Sequence, residues 1–420
     1  MVERAEGLSG VGSAEYRELP LSESLEWFRH CIQRFVEGGI YLIAGQPGIG
    51  KSTLGIQVCL DLGRRGIESL YILTEQRKED LKQRALLMTA SWPSKESKLA
   101  LDNVKPEEGI YDVESLPSFL SQEVINERGK YHNVKFIVVD SIQGHGQAAS
   151  ATRKYRQIYE FCRQCKSSGK TVLLVAHVTK KGEIAGPKDM EHNVDCVLVM
   201  RKAMSYRPMF VPKNRFGPAT FKPIPLEMDR KSTMLKISPH IDAVSSVAKT
   251  YLGQETGLAE AQAAVSLPNY GSQGKIVAPG LPRREIEQLT TCIAQMPDME
   301  MGDLEYTIQC RLPGERRYRG VLGLSVCMAL IASYIQRSIP SHHVYIGEVD
   351  LLRRVRELPI GLVESFIEAL KEGRIPKPLR VFVSSEAAEF LKAESIGITV
   401  IKCDKLDDAV YQTWPELRPS

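Results

Sequence analysis

The chain has 420 residues, 43% hydrophobic and 25% charged, and its 55 Lys and Arg against 51 Asp and Glu leave a net charge of +4. This composition excludes a disordered chain, a collagen-like fibre and a low-complexity repeat, and the near-cancellation of charge gives no sign by itself of a polyanion partner. At roughly 150 residues per domain the length suggests two domains, each long enough to bury a core.

The nine cysteines are scattered from Cys31 to Cys403 and odd in number. A secreted disulfide framework would be shorter and denser in Cys. No basic segment followed by an apolar one opens the chain, and no apolar run reaches the ~18 residues of a membrane span. The expected setting is therefore cytoplasmic, away from membranes.

Residues 1–37 read as a Gly- and Ser-rich tail followed by a short helix whose apolar positions include Leu25, Trp27, Phe28, Ile32 and Phe35. From 38 to 240 short apolar runs alternate with amphipathic stretches. The runs are 40–44, 70–73, 136–139, 172–176 and 196–200. Rich in Ile, Val and Leu, they predict strands buried on both faces of a parallel sheet. Helical patterns lie between them, including 52–62 and 152–166, so an α/β doubly wound core is expected. Residues 241–256 are small, polar and unpatterned and read as a linker. The unit at 257–420 carries a long apolar helix at 321–335, strands at 343–346 and 380–383, and a helix at 361–371.

The strongest motif is Gly45, Gln46, Pro47, Gly48, Ile49, Gly50, Lys51, Ser52, Thr53, which matches G-x-x-x-x-G-K-[ST] between a predicted strand and a predicted helix. Glycines let backbone N–H groups curl around phosphates, and the helix N-terminus adds its positive end. Lys51 would reach the β- and γ-phosphates of ATP, and the Ser52 hydroxyl would bind Mg²⁺. Such a loop needs a carboxylate on the Mg²⁺ side. Asp140, ending the run 136–139, supplies it. Glu75, just past the run 70–73, falls at the same sheet edge and could orient or deprotonate the attacking water. The blander reading of Glu75 is an acidic residue favoured by a helix N-terminus. Cys162 and Cys165 form a C-x-x-C, but with Ile158 and Phe161 they recur at i, i+3, i+4, i+7, the buried stripe of a helix, and no second pair supplies a zinc site.

Several stretches together carry a family resemblance. Residues 177–187, the pairs Glu191, His192 and Val194, Asp195, the pentapeptide Lys213, Asn214, Arg215, Phe216, Gly217, and the segment Asp140, Ser141, Ile142, Gln143 resemble the bacterial RadA/Sms family, densely over about 38–240 and more faintly to about 415. The resemblance implies a RecA-like P-loop ATPase core that forms a ring, a homo-hexamer, and moves on single-stranded DNA in recombinational repair alongside a RecA-type recombinase. It also implies roles for further residues. His177 would sense the γ-phosphate, against a packed or capping histidine as the plainer reading. Lys213 and Arg215 would reach the nucleotide of a neighbouring subunit, where transition-state charge needs a cation beyond Lys51 and Mg²⁺; the plainer reading is a basic turn. Loops 143–154 and 180–188, small-residue-rich with basic ends, would track a DNA backbone, unless they are merely solvated.

The unit at 257–420 is similar to the Lon-protease-like domain that ends this family. Lon-type proteases cut with a Ser–Lys dyad. Here Leu322 falls at the Ser and Glu364 near the Lys, and Ser325 lies a helical turn on, so an inactive scaffold is expected. Chains of this family usually open with a four-Cys zinc element, and no Cys precedes Cys31. A nucleotide-switched scaffold of the circadian KaiC kind, with slow ATP hydrolysis, is the alternative from another class. An ATP-dependent protease ranks third.

Overall fold

The computed structural model describes residues 16–109, 113–143, 151–178, 193–238, 246–254, 257–268, 274–311, 322–394 and 397–418. After helix α1 (Glu26–Ile32), the first unit alternates strand and helix: β1 (Ile40–Gly45), α2 (Lys51–Gly63), β2 (Ser69–Leu73), α3 (Lys78–Thr89), α4 (Ser94–Asp102), β3 (Val104–Glu107), α5 (Leu116–Phe119), β4 (Phe136–Asp140), α6 (Ala151–Ser167), β5 (Thr171–His177) and β6 (Cys196–Met200). Three further strands follow directly, β7 (Tyr206–Asn214), β8 (Thr220–Met228) and β9 (Leu235–Ile237).

These nine strands make one sheet in the order β3-β2-β4-β5-β1-β6-β7-β8-β9. It is parallel from β3 to β6 and antiparallel from β6 to β9. Alternate residues of each central strand enter opposite layers. Tyr41, Ile43, Tyr71 and Val138 pack with α2 on one face, while Leu42, Leu70, Ile137 and Leu174 pack with Phe161, Cys162 and Cys165 of α6 on the other. Burial on both faces is why these strands read as unbroken apolar runs. Cys162 and Cys165 are core residues, as their helical spacing predicts.

The second unit contains β10 (Val247–Tyr251), β11 (Leu258–Ser266), β12 (Ile276–Val277), α7 (Arg283–Ala294), β13 (Glu305–Arg311), α8 (Gly323–Ile335), β14 (His343–Tyr345), α9 (Ile360–Lys371), β15 (Arg380–Val383), α10 (Ser385–Ala393), β16 (Thr399–Lys402) and α11 (Leu406–Thr413). Its sheet runs β12-β13-β11-β10-β14-β15-β16, antiparallel from β13 to β10 and parallel from β10 to β16. Residues 247–251 are therefore a strand, which corrects the reading of 241–256 as a linker. Paired to β11 on one side and β14 on the other, β10 buries Ala248, Thr250 and Tyr251 although the sequence around it is small and polar.

The two units also share a core. Every residue of α8 is buried, and its apolar surface belongs to one cluster with Tyr206 and Phe210 of β7. An all-round apolar helix needs a partner on every side. Here the second sheet covers one side and the antiparallel extension of the first sheet contributes to another.

Candidate nucleotide site

The loop between β1 and α2 opens at the carboxyl edge of the first sheet, where β1 lies between β5 and β6. Crevices at such edges are the usual ligand sites of open α/β sheets. The loop's glycines are required by its path. A Cβ on Gly45 would stand 2.7 Å from the Met200 carbonyl oxygen, and Gly50 turns into the helix at φ +113°. Lys51, the first residue of α2, is buried at 4% exposure. Its Nζ donates to the carbonyl oxygens of Gly45 and Gln46, both at 2.8 Å, and lies 3.4 Å from His177 Nδ1. Burial lowers the Lys51 ammonium to about 8, and the carboxylates of Asp140, Glu75 and Glu300 work against that shift.

From Lys51 a chain of polar contacts runs along the edge. His177 Nε2 is 3.5 Å from Glu75 Oε2, and Glu75 Oε1 accepts a 2.6 Å hydrogen bond from the Ser141 hydroxyl. Ser141 is itself fixed on both sides of its backbone. Its N–H donates to Thr74 Oγ1 at 2.7 Å, and its carbonyl accepts from the same hydroxyl at 2.8 Å. The His177 N–H donates to Gln143 Oε1 at 3.0 Å. Thus Lys51, Glu75, Asp140 and His177 are brought together from four different strand ends.

Asp140, 5% exposed, accepts a 2.7 Å hydrogen bond from the Tyr71 hydroxyl through Oδ2. Tyr71 is fully buried. Burial first, and the Asp140 carboxylate next, push its phenol well above the ordinary range, so it stays a donor. Ser52 and Asp140 together offer a hydroxyl and a carboxylate, the hard oxygen donors that Mg²⁺ prefers. Among the described residues no group of three or more His, Cys, Asp or Glu forms a denser metal cage. That donor set fits a cation held by one or two protein oxygens and completed by phosphates and water. Tyr71 and Ser141 fall in stretches that carry the family resemblance, but the sequence assigns neither a role. A phenol in an otherwise apolar, doubly buried strand, which needs a partner for its hydroxyl, was the available signal for Tyr71.

Lys213 and Arg215 fall elsewhere. β7 runs antiparallel to β6, with Val197 opposite Lys213 and Cys196 opposite Asn214. The pentapeptide therefore lies at the amino edge of the sheet, a strand length of roughly 20 Å from the loop at Gly45. There Arg215 Nη1 is 3.2 Å from Asp195 Oδ1, the same buried carboxylate that Lys166 Nζ meets at 2.8 Å. Asn214 Nδ2 donates to the Ile32 carbonyl at 2.8 Å, and Phe216 packs edge-on against Tyr16. Of the two DNA-loop candidates, 180–188 and residues 144–150 of 143–154 lie outside the described residues.

The second unit faces the phosphate loop across a cavity. Its volume is about 350 Å³, and it is bounded by residues 46–49 of the loop and by Lys202, Asp298 and Glu300. Asp298 pairs with the Lys202 ammonium, and the Glu300 N–H donates to the Lys202 carbonyl at 2.9 Å. Burial raises the Glu300 carboxyl above its usual range.

At the position where a Lon-type nucleophile would stand, the start of α8 is closed by the chain's own carboxylate. Glu348 Oε1 accepts from the Leu322 N–H at 2.9 Å, and a Cβ on Gly323 would lie 2.5 Å from Glu348 Oε2. Ser325 is wholly buried, its hydroxyl donating to the Leu322 carbonyl at 2.9 Å. Glu364 is exposed on α9.

Comparison with known proteins agrees with this fold. The family described as "ATPase: KaiC" matches residues 25–240. The DNA repair protein RadA of Escherichia coli is 28% identical over 440 residues, spanning 98% of this chain and 89% of that protein. RadA of Haemophilus influenzae is 29% identical, spanning 80% and 72%, and RadA of Campylobacter jejuni 26% identical, spanning 85% and 80%. The first unit is a RecA-like P-loop core, as expected from its strand order and loop. Among the described residues no helix is long and apolar enough to cross a membrane.

Proposed function

We propose, from the premise that this chain belongs to the KaiC family of ATPases, that it is a DNA-repair motor: a homo-hexameric ring hydrolysing ATP with Mg²⁺ while moving on single-stranded DNA. The observation that carries this reading is the contact chain Lys51–His177–Glu75–Ser141 at the carboxyl edge. Glu75, held by Ser141, takes a proton from the attacking water. Lys51 faces the β- and γ-phosphates and His177 links it to Glu75, so the state of the γ-phosphate is felt by both. Ser52 and Asp140 would hold Mg²⁺, which would supply charge neutralisation at the phosphates, while Tyr71 keeps the Asp140 carboxylate oriented.

The position of Lys213 and Arg215 supports their action in trans. Cations at the amino edge are too far to serve their own loop, whereas a neighbour in a ring could receive them. Loops 143–154 and 180–188 are the proposed DNA contacts, a RecA-type recombinase the proposed protein partner, and the cytoplasm the proposed compartment. The similarity to RadA along most of the chain favours the repair reading over a regulatory scaffold. A protease is disfavoured by the buried Ser325 and by Glu348 at the start of α8.

ATP turnover with and without single-stranded DNA tests the proposal. DNA should stimulate the wild type, and Lys51→Ala and Lys213→Ala should each abolish turnover. Mixing the two variants should restore part of it, because mixed rings contain intact interfaces. Turnover indifferent to DNA would remove the motor reading, and no recovery on mixing would remove the trans fingers.

A further inference from the structure

The second unit has a cavity that neither ATP hydrolysis nor DNA movement uses. It lies at the amino edge of the parallel half of the second sheet, before β14, β15 and β16, with a volume of about 590 Å³. Lys249, His342, Lys377 and Arg380 line it, and among the described residues no acidic one does. Elsewhere on this surface cations sit beside carboxylates, as in Lys371–Glu394 and Arg356–Asp350. Lys249 Nζ donates to the Ser341 carbonyl at 2.8 Å, with Glu260 opposite Lys249 in the β10–β11 register.

Arg380 is the most telling member. Its guanidinium packs over the Phe382 ring at 5.7 Å and donates to Gln412 Oε1 at 3.3 Å, with no carboxylate beside it. Its Nε is buried without a hydrogen-bond partner. A half-buried guanidinium in that state is costly unless an anion completes it. The field behind the cavity is positive as well. Burial first, then the His342 and Arg380 charges, push buried His343 down to about 4.

The rest of the wall mixes the apolar Leu258, Pro376, Pro378 and Leu379 with the hydroxyls of Ser341 and Thr399. That combination decides the ligand class. A polyanion tracks along a stripe of exposed cations, whereas an open hollow of this size, lined by cations and apolar side chains together, fits a small molecule carrying both parts. We propose that this cavity binds a small phosphorylated ligand of the mononucleotide class, its phosphate on Arg380, Lys377 and Lys249 and its ring system against Leu258 and Pro378. The site is separate from the phosphate loop and does not depend on the ATPase reading.

The test uses the full chain carrying Lys51→Ala, so that the phosphate loop does not dominate, titrated calorimetrically with AMP, adenosine, inorganic phosphate and a short duplex DNA. AMP should bind once per chain, phosphate more weakly and adenosine hardly at all. Adding Arg380→Gln or, on the exposed turn, Lys377→Ala should weaken AMP at least tenfold. Absence of AMP binding would overturn the proposal, as would AMP binding that neither variant changes. Duplex DNA weakened by both variants while AMP does not bind would also overturn it, assigning the cavity to a nucleic-acid backbone. Loss of ATP binding by the chain with Lys51 intact bears only on the ATPase reading. Lys377→Ala keeps the test decisive if Arg380→Gln does not fold.

Discussion

The carboxyl edge of the first sheet and the amino edge of the second are both lined by polar side chains, yet they are built in opposite ways. At the first, every charged group has a counterpart: Lys51 faces Asp140 and Glu75, Glu75 faces His177 and Ser141, and Asp140 is held by Tyr71. At the second, cations converge and, among the described residues, no carboxylate lines the cavity they share. The paired arrangement sets orientation and protonation, which a reaction needs. The unpaired one leaves net charge, which suits binding. The two edges therefore teach that the same chain separates chemistry from charge recognition by supplying or withholding carboxylates.

The comparison can be broken most sharply at Glu75. Glu75→Gln keeps the shape and the Ser141 contact but cannot accept a proton, so ATP turnover should fall about 10²–10⁴-fold while ATP binding persists. Comparable turnover in the variant would mean that the paired edge is structural. A second break lies away from both edges. Glu348→Ala strips the partner from the Leu322 N–H at the start of α8 and should cost about 1–3 kcal/mol in denaturant unfolding. Turnover per folded molecule should stay unchanged, since Glu348 touches nothing at the phosphate loop.

Acidity sharpens the contrast further. With the Lys51 ammonium lowered to about 8 by burial, it is charged below that pH and bound phosphate favours the charged form. ATP affinity should thus be flat up to about pH 8. Above it, binding must take up a proton, and affinity should fall by up to about tenfold per pH unit. The same titration on Lys51→Ala should show no such break. Smaller still is the effect of Tyr71→Phe, which removes one donor from Asp140 Oδ2. The Mg²⁺ concentration for half-maximal ATP binding should rise a few-fold, with little change in ATP binding at saturating Mg²⁺.

Much of the first unit is legible because its physics is local. A strand buried on both faces must be apolar throughout, so 40–44 and 136–139 announce themselves, and the glycines of the phosphate loop fall between a strand and a helix that both form. β7 and β8 were hidden by Pro208, Pro212, Pro223 and Pro225, since proline argues against a sheet interior. Pro208 lies opposite Pro225 in their register. β11 was hidden differently. Its Ala-rich sequence prefers a helix, and only pairing to β10 and β13 on both sides makes it a strand. The candidate site shows the same limit. Lys51, Glu75 and Asp140 follow from motif and strand ends, but the contacts of Glu75 with Ser141 and His177 join residues far apart in sequence, and only the folded sheet reveals them.

The turn at 298–300 carries a consequence for the whole molecule. Glu300 stands in the second unit, yet its charge acts on Lys51 and its segment bounds the cavity beside residues 46–49. A ligand at the phosphate loop that interacts with Glu300 or Asp298 changes the energy of that turn, and thermodynamic reciprocity then requires the reverse. A neighbour, a ligand or a substitution that shifts the turn alters nucleotide affinity by the same factor by which nucleotide alters its own hold. The second unit thus places a carboxylate, Glu300, where it can bear on the lysine of the phosphate loop.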